Sequence, residues 1–153
     1  MDELRLSAGI SAASDIEEGL VQNITILLSD DNFAVLDHLG KVLEKEKSYK
    51  IVAAISDGTA VVREYLRLRP DIIILDISMG DVSGIDVARD LRDSGCLAKI
   101  IFLTVHEDPD FVNAGMGVGG SAYVVKSRLS QDLFSAIKAV LSHKIFVSPN
   151  LLY

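Results

Sequence analysis

The sequence predicts an α/β domain in which a five-stranded parallel sheet is doubly wound by helices. Five apolar runs (Ile24–Leu28, Ile51–Ile55, Ile72–Leu75, Ile100–Leu103 and Ala122–Val125) alternate strictly with amphipathic stretches. The first, third and fourth runs are apolar almost without interruption, as strands covered on both faces must be. Residues that start and stop helices stand between the runs.

The elements follow in order. Residues 1–22 are small and polar with no sustained period, which predicts an extension ahead of a domain spanning 23–147. After the first run, Leu36, Leu39, Gly40 and Leu43 keep helical spacing behind Asp31-Asn32, good N-terminal residues. Val62, Tyr65, Leu66 and Arg69 repeat that spacing until Pro70 stops it. Ser83-Gly84-Ile85-Asp86 reads as a capping box with Asp in place of Glu, and Gly95 stands where that helix should end. Over 107–120, Pro109 can open a helix and Phe111, Val112 and Met116 can face inward. Gly115, Gly117, Gly119 and Gly120 each weaken it by ~1 kcal/mol, so a short, weakly held helix of one or two turns is expected. Leu133, Ile137, Val140 and Leu141 form the last stripe, with Ser130 as its expected cap. Residues 148–153 read as the start of a linker or tail.

Composition narrows the function. With 153 residues and 49% apolar content the chain can close one core. Its formal net charge is −7, of which −4 falls in the first 22 residues and −3 in the rest, so a general nucleic-acid surface is not expected. Cys96 is the single cysteine and reads as a structural thiol. No apolar run approaches the ~20 residues that span a bilayer, and the N-terminus lacks a signal-peptide layout, so a cytoplasmic protein without membrane contact is expected.

In such a sheet, ligands bind beyond the carboxyl ends of the strands where strand order reverses. The first strand ends in Ser29-Asp30-Asp31, the third in Asp76, the fourth in Thr104 and the fifth in Lys126. Each alone has a plain reading as a cap, a turn residue or a solvated side chain. Together they bring three carboxylates, a hydroxyl and an ammonium to one edge. Crowded carboxylates repel unless a cation neutralises them. All-oxygen ligands select a hard ion, and Mg²⁺ suits one or two carboxylates with phosphate oxygens and water. Lys126 adds positive charge and Thr104 a hydroxyl for a phosphoryl oxygen, so the set fits phosphoryl transfer.

Ser29-Asp30-Asp31, Pro70 to Met79, Val82-Ser83-Gly84, Leu103-Thr104 and Ala122 to Ser127 resemble the receiver domain of two-component response regulators over residues 24–147. The resemblance implies the CheY-like, flavodoxin-like strand order 2-1-3-4-5. It makes Asp76 the acceptor of a phosphoryl group from a sensor histidine kinase. It also implies that Asp31, Asp76 and the Ser78 backbone carbonyl ligate Mg²⁺, with Asp30 acting largely through water. Thr104 and Tyr123 resemble the switch pair, and Lys126 the phosphoryl contact. Lys126-Ser127 and Val147-Ser148-Pro149 resemble the NarL/FixJ subfamily with LuxR-type helix-turn-helix domains. A homodimer through the fourth-helix, fifth-strand and fifth-helix face is then expected, with DNA contacted only by an effector domain absent from this chain. Three departures carry expectations. Gly80 stands where the family has Pro, predicting a looser loop after Asp76; Ser127 replaces a Pro, predicting a trans bond; and Val105 replaces a small residue, narrowing access to Asp76.

Other signals are set aside. Gly115-Met116-Gly117-Val118-Gly119-Gly120 fits G-x-G-x-x-G but precedes a strand instead of following one. Asp57-Gly58-Thr59 resembles the end of a haloacid-dehalogenase phosphatase motif whose nucleophile position is Ile55. His38, His106 and His143 lack metal spacing, and His106 reads as a bystander at the site rim. The reading is therefore a signalling domain, not an enzyme. A phosphatase would need a second catalytic Asp beside Asp76, and acids at the strand ends would repel a flavin phosphate.

Overall fold

The computed structural model describes residues 23–151, so the expected extension over 1–22 lies outside the described residues. Strands β1 (Ile24–Ser29), β2 (Tyr49–Ile55), β3 (Ile72–Leu75), β6 (Lys99–Thr104), β7 (Ala122–Val125) and β8 (Phe146–Val147) form one parallel sheet in the order β2-β1-β3-β6-β7-β8. The five expected strands stand in the expected order. β8, a two-residue strand separated from the last helix by four residues, is a sixth that periodicity could not reveal. A separate hairpin, β4 (Ser78–Met79) and β5 (Val82–Ser83), follows β3.

Helices α1 (Phe33–Leu43), α2 (Val61–Leu68), α3 (Gly84–Asp93), α4 (Pro109–Gly117) and α5 (Leu129–Leu141) cover both faces. Alternate residues of each strand point to opposite sides, which sorts the core into two clusters. Ile26, Leu28, Ile72, Ile74, Ile101 and Leu103 pack against α1 and α5 through Leu36, Leu39, Leu133 and Ile137. Leu27, Ile73, Leu75, Ile100, Phe102 and Tyr123 meet Val61, Tyr65, Val87 and Leu91 of α2 and α3, with Phe111 and Met116 of α4 alongside.

Local chemistry sets the helix ends. Asn32 caps α1 by accepting from the Ala34 and Val35 N–H groups, and Ser83 caps α3 by accepting from Ile85. Asp86 does not complete the expected box; it pairs with Arg89. α2 ends in left-handed Arg69 just before Pro70. Three expectations are corrected. Leu66 is exposed, because α2 turns Val61 and Tyr65 inward, and Leu141 lies at the exposed margin of α5. Ser130 is inside α5, whose N-cap is Arg128 without a side-chain bond; a 3₁₀ turn, Lys126–Arg128, leads into the helix. α4 has nine residues, about two and a half turns, with Asp108 capping it and Pro109 at its start. Its glycines partly explain this: a Cβ on Gly115 would sit 3.0 Å from the Phe102 ring, so the missing side chain lets α4 lie close on the sheet.

Candidate functional site

β1 and β3 are neighbours, yet the chain leaves β1 toward β2 on one side and enters β6 from β3 on the other. Strand order reverses between them. Their register, Ser29 opposite Leu75, sets Asp30 and Asp76 side by side just past the strand ends, and the Asp76 N–H donates to the Ser29 carbonyl at 3.0 Å.

One oxygen from each of Asp30, Asp31 and Asp76 lies within 4.8 Å of the others. Asp30 and Asp76 are buried, whereas Asp31 is open to solvent. Asp30 accepts from the Asn32 N–H at 2.9 Å, and Asp76 from the Ser78 N–H at 3.2 Å. Lys126, the first residue past β7, puts its ammonium 2.7 Å from Asp30 Oδ2 and 3.1 Å from Asp76 Oδ2. Burial pushes the Asp76 carboxyl above the ordinary carboxylate range and the Asp30 charge adds to this, while Lys126 and the Ser78 N–H pull the other way. Burial would lower the Lys126 ammonium, but the two carboxylates together outweigh it and hold the lysine above its usual value.

These donors fit a hard divalent cation. Three carboxylates converge, and Asp30 Oδ2 is buried without a hydrogen bond of proper geometry even though the ammonium is near. One ammonium, that of Lys126, faces Asp30 and Asp76, so the three carboxylates together exceed the positive charge beside them.

The backbone around the acids is tightly built. A Cβ on Gly84 would fall 1.9 Å from the Asp76 carbonyl oxygen, so glycine is the residue that lets α3 begin there. The loop expected to loosen at Gly80 instead closes as the β4–β5 hairpin, with Gly80 at φ 63° in its two-residue turn. All peptide bonds among the described residues are trans, Lys126–Ser127 included. Val105 is largely exposed at the rim.

Thr104 closes β6 and is fully buried, its Oγ accepting from the His106 N–H at 3.2 Å. Tyr123 is also fully buried, and its hydroxyl donates to the His106 carbonyl at 2.8 Å. Burial pushes the Tyr123 phenol well above its ordinary value, and Asp108 and Asp76 add to it. The residues expected to act together are thus brought to one edge. His106, expected at the rim as a bystander, is tied by its backbone to both Thr104 and Tyr123. Its Nε2 lies 2.6 Å from Ser78 Oγ and its ring stacks on Phe111 at 4.1 Å. Its place two residues past Thr104 was the available signal. Asp57 only caps a local turn, accepting from the Thr59 N–H and hydroxyl.

Residues 26–138 match the response regulator receiver domain, and the chain belongs to that family. It is 31% identical over 129 residues to the transcriptional regulatory protein DesR of Bacillus subtilis, covering 84% of this chain and 64% of DesR. It is 30% identical over 128 residues to the response regulator UvrY of Escherichia coli, covering 84% and 59%. Among solved structures, a LuxR-family response regulator from Aurantimonas sp. SI85-9A1 superposes with a TM-score of 0.81 at 29% identity, covering 85% of this chain and 93% of that one. The isolated receiver of RcsB from Salmonella enterica serovar Typhimurium, with the phosphomimetic BeF₃⁻, gives 0.79 at 27% identity over 86% and 100%. The chain spans less than two thirds of the length of the curated relatives it matches. It is a signalling domain of the response regulator class, with relatives among LuxR-type transcription regulators. Among the described residues no helix is long and apolar enough to cross a membrane.

Proposed function

We propose that Asp76 is the phospho-acceptor of this receiver, taking a phosphoryl group from the phosphohistidine of a sensor kinase. The observation that carries the reading is the convergence of Asp30, Asp31 and Asp76 at the strand switch point, with Lys126 paired to Asp30 and Asp76. An Asp76 carboxylate oxygen attacks phosphorus, the P–N bond breaks, and the kinase imidazole leaves with the bonding pair. Lys126 and the Ser78 N–H favour the ionised form that attack requires, against the pull of burial. Asp31, Asp76 and the Ser78 carbonyl would hold Mg²⁺, with Asp30 acting largely through water, and the ion would supply charge neutralisation for the transferring oxygens. Lys126 then turns to a phosphoryl oxygen, and the Thr104 hydroxyl donates to another.

Thr104 and Tyr123 are read as the switch, linked through His106. The face of α4, β7 and α5 is the output surface, including a homodimer contact, and residues 23–147 are the receiver. Transcriptional control passes through a DNA-binding effector joined to it in a cytoplasmic regulator. The test is intact-mass measurement after incubation with Mg²⁺ and acetyl phosphate. One added phosphoryl group, mapped to Asp76 and absent from Asp76→Asn, is expected; phosphorylation of the variant at the same peptide would sink the assignment.

A further inference from the structure

The segment after α5 is built into the domain beside the residues that switch it. β8 pairs with β7 at only two positions, Ala122 with Phe146 and Tyr123 with Val147. Ser148 then extends the ladder with its side chain. Its N–H donates to the Tyr123 carbonyl at 2.9 Å, its Oγ accepts from the Val125 N–H at 3.1 Å, and the same hydroxyl donates to Asp132 Oδ2 at 2.8 Å. Arg128 holds Asp132 with two bonds, Nε at 2.8 Å and Nη2 at 3.0 Å. Ser148 has no exposed surface. Leu151 follows, its N–H donating to the Ser148 carbonyl and its side chain buried in the cluster that holds Tyr123 and Val125.

A ring of contacts therefore runs from Val125 through the Lys126–Arg128 turn to Asp132, on to Ser148 and back to Val125. Lys126 sits inside that arc. We propose that residues 146–151 are a clamp coupled to the occupancy of Asp76, a regulatory contact between the phosphoryl site and the chain that leaves the domain. The proposal rests on the reading of Asp76 as acceptor. A phosphoryl group draws Lys126 from its two carboxylates, and Lys126 opens the turn whose other end grips Asp132. Tyr123 is tied to the same segment by its carbonyl and by its place in the Leu151 cluster. The docked segment supports the inward position of Tyr123, so docking and phosphorylation favour one another, and such coupling is reciprocal.

The test uses the full chain with Mg²⁺ and beryllium fluoride, the probe standing for the phosphoryl group. Amide hydrogen exchange reports the clamp at Ser148 and Leu151, and calorimetric titration reports beryllium fluoride affinity. In the unaltered protein the probe should slow exchange at both amides about fivefold or more. Ser148→Ala, which removes two hydrogen bonds, and Leu151→Ser, which removes the apolar anchor, should speed that exchange and weaken probe binding by a matching factor. A clamp loosened without change in affinity would overturn the proposal, since a merely structural tail behaves that way. So would bound probe that leaves the two amides unaffected, or failure of both substitutions to loosen them. Absence of any probe binding to the unaltered protein would instead sink the reading of Asp76.

Discussion

Replacing Lys126 by Met removes the ammonium but keeps most of the aliphatic stem. At an effective dielectric constant of about 20, contacts of 2.7 and 3.1 Å are each worth roughly 5–6 kcal/mol of attraction, and two carboxylates within 4.8 Å of each other repel by at least roughly 3 kcal/mol. Burial penalties consume most of the attraction, so the net loss is smaller. Stripping one partner from a buried pair typically costs about 3–5 kcal/mol, and about 3 kcal/mol is expected here because Asp76, already held above the carboxylate range, can escape by taking up a proton. Urea unfolding at pH 7 and pH 5, with a chelator present, measures this. The contribution of Lys126 holds at every pH below the ordinary lysine value and is lost only as pH climbs through its raised folded value. The comparison between pH 5 and pH 7 therefore reports the carboxylates. The deficit should shrink at pH 5 and also when Asp76→Asn is added, while the part owed to the 2.7 Å contact with Asp30 persists. An equal deficit at both pH values and in the double variant would show that lost packing, not charge, was the cost.

Without metal, Asp76→Asn should be more stable than the parent at pH 7, because burial and the Asp30 charge hold the Asp76 carboxyl above its ordinary range. Because the folded carboxyl is raised, the cost of ionising it accrues as pH rises from the ordinary carboxylate value through the raised one; the gain should fade on acidification, as urea midpoints against pH would show. Gly84→Ala should cost at least about 3 kcal/mol and abolish acetyl phosphate labelling, since the new methyl meets backbone that cannot yield; near-parental stability would contradict the packing described. In α4, Gly117→Ala enters open space and should stabilise by roughly 0.5–1 kcal/mol, whereas Gly115→Ala pushes on the Phe102 ring and should gain nothing or lose stability, read by thermal unfolding of the pair. Ser148→Ala leaves the Val125 N–H without its acceptor and should cost about 1–3 kcal/mol in the same assay.

Most of the sheet was legible because its signals are local. Ile72–Leu75 is apolar at every position, and Asn32 and Ser83 announce their helices by side-chain chemistry within three residues. The acids were legible because each closes a strand. What escaped depends on contacts between distant segments. Ser130 looks like a cap, but a 3₁₀ turn after Lys126 starts α5 two residues earlier than a cap at Ser130 would allow. The glycines of 107–120 look like a weak helix when scored by propensity, yet Gly115 gains close approach to Phe102, thirteen residues away in sequence and on another element. His106 carries no metal spacing, and its bond to Ser78 exists only because the β4–β5 hairpin folds back toward β6. Phe146–Val147 is too short to show a period, and Ser148 supplies with a hydroxyl what a longer strand would supply with its backbone.

The same sorting that builds the core also positions the site. In β1, Ile26 and Leu28 belong to the cluster under α1 and α5, while Leu27 belongs to the one under α2, α3 and α4. β3 divides likewise, with Ile72 and Ile74 on the first side and Ile73 and Leu75 on the second. A slip of one residue in β1 against β3 would exchange these faces and expose every misplaced side chain to the wrong helix layer. The register Ser29 opposite Leu75 is therefore held by hydrophobic matching along the whole strand, not by the acids, which repel one another. Asp30 and Asp76 follow one residue later on each strand and are driven together against their charge. The core supplies the free energy that crowds them, Lys126 offsets part of the cost, and the carboxylate charge left unbalanced fits a cation.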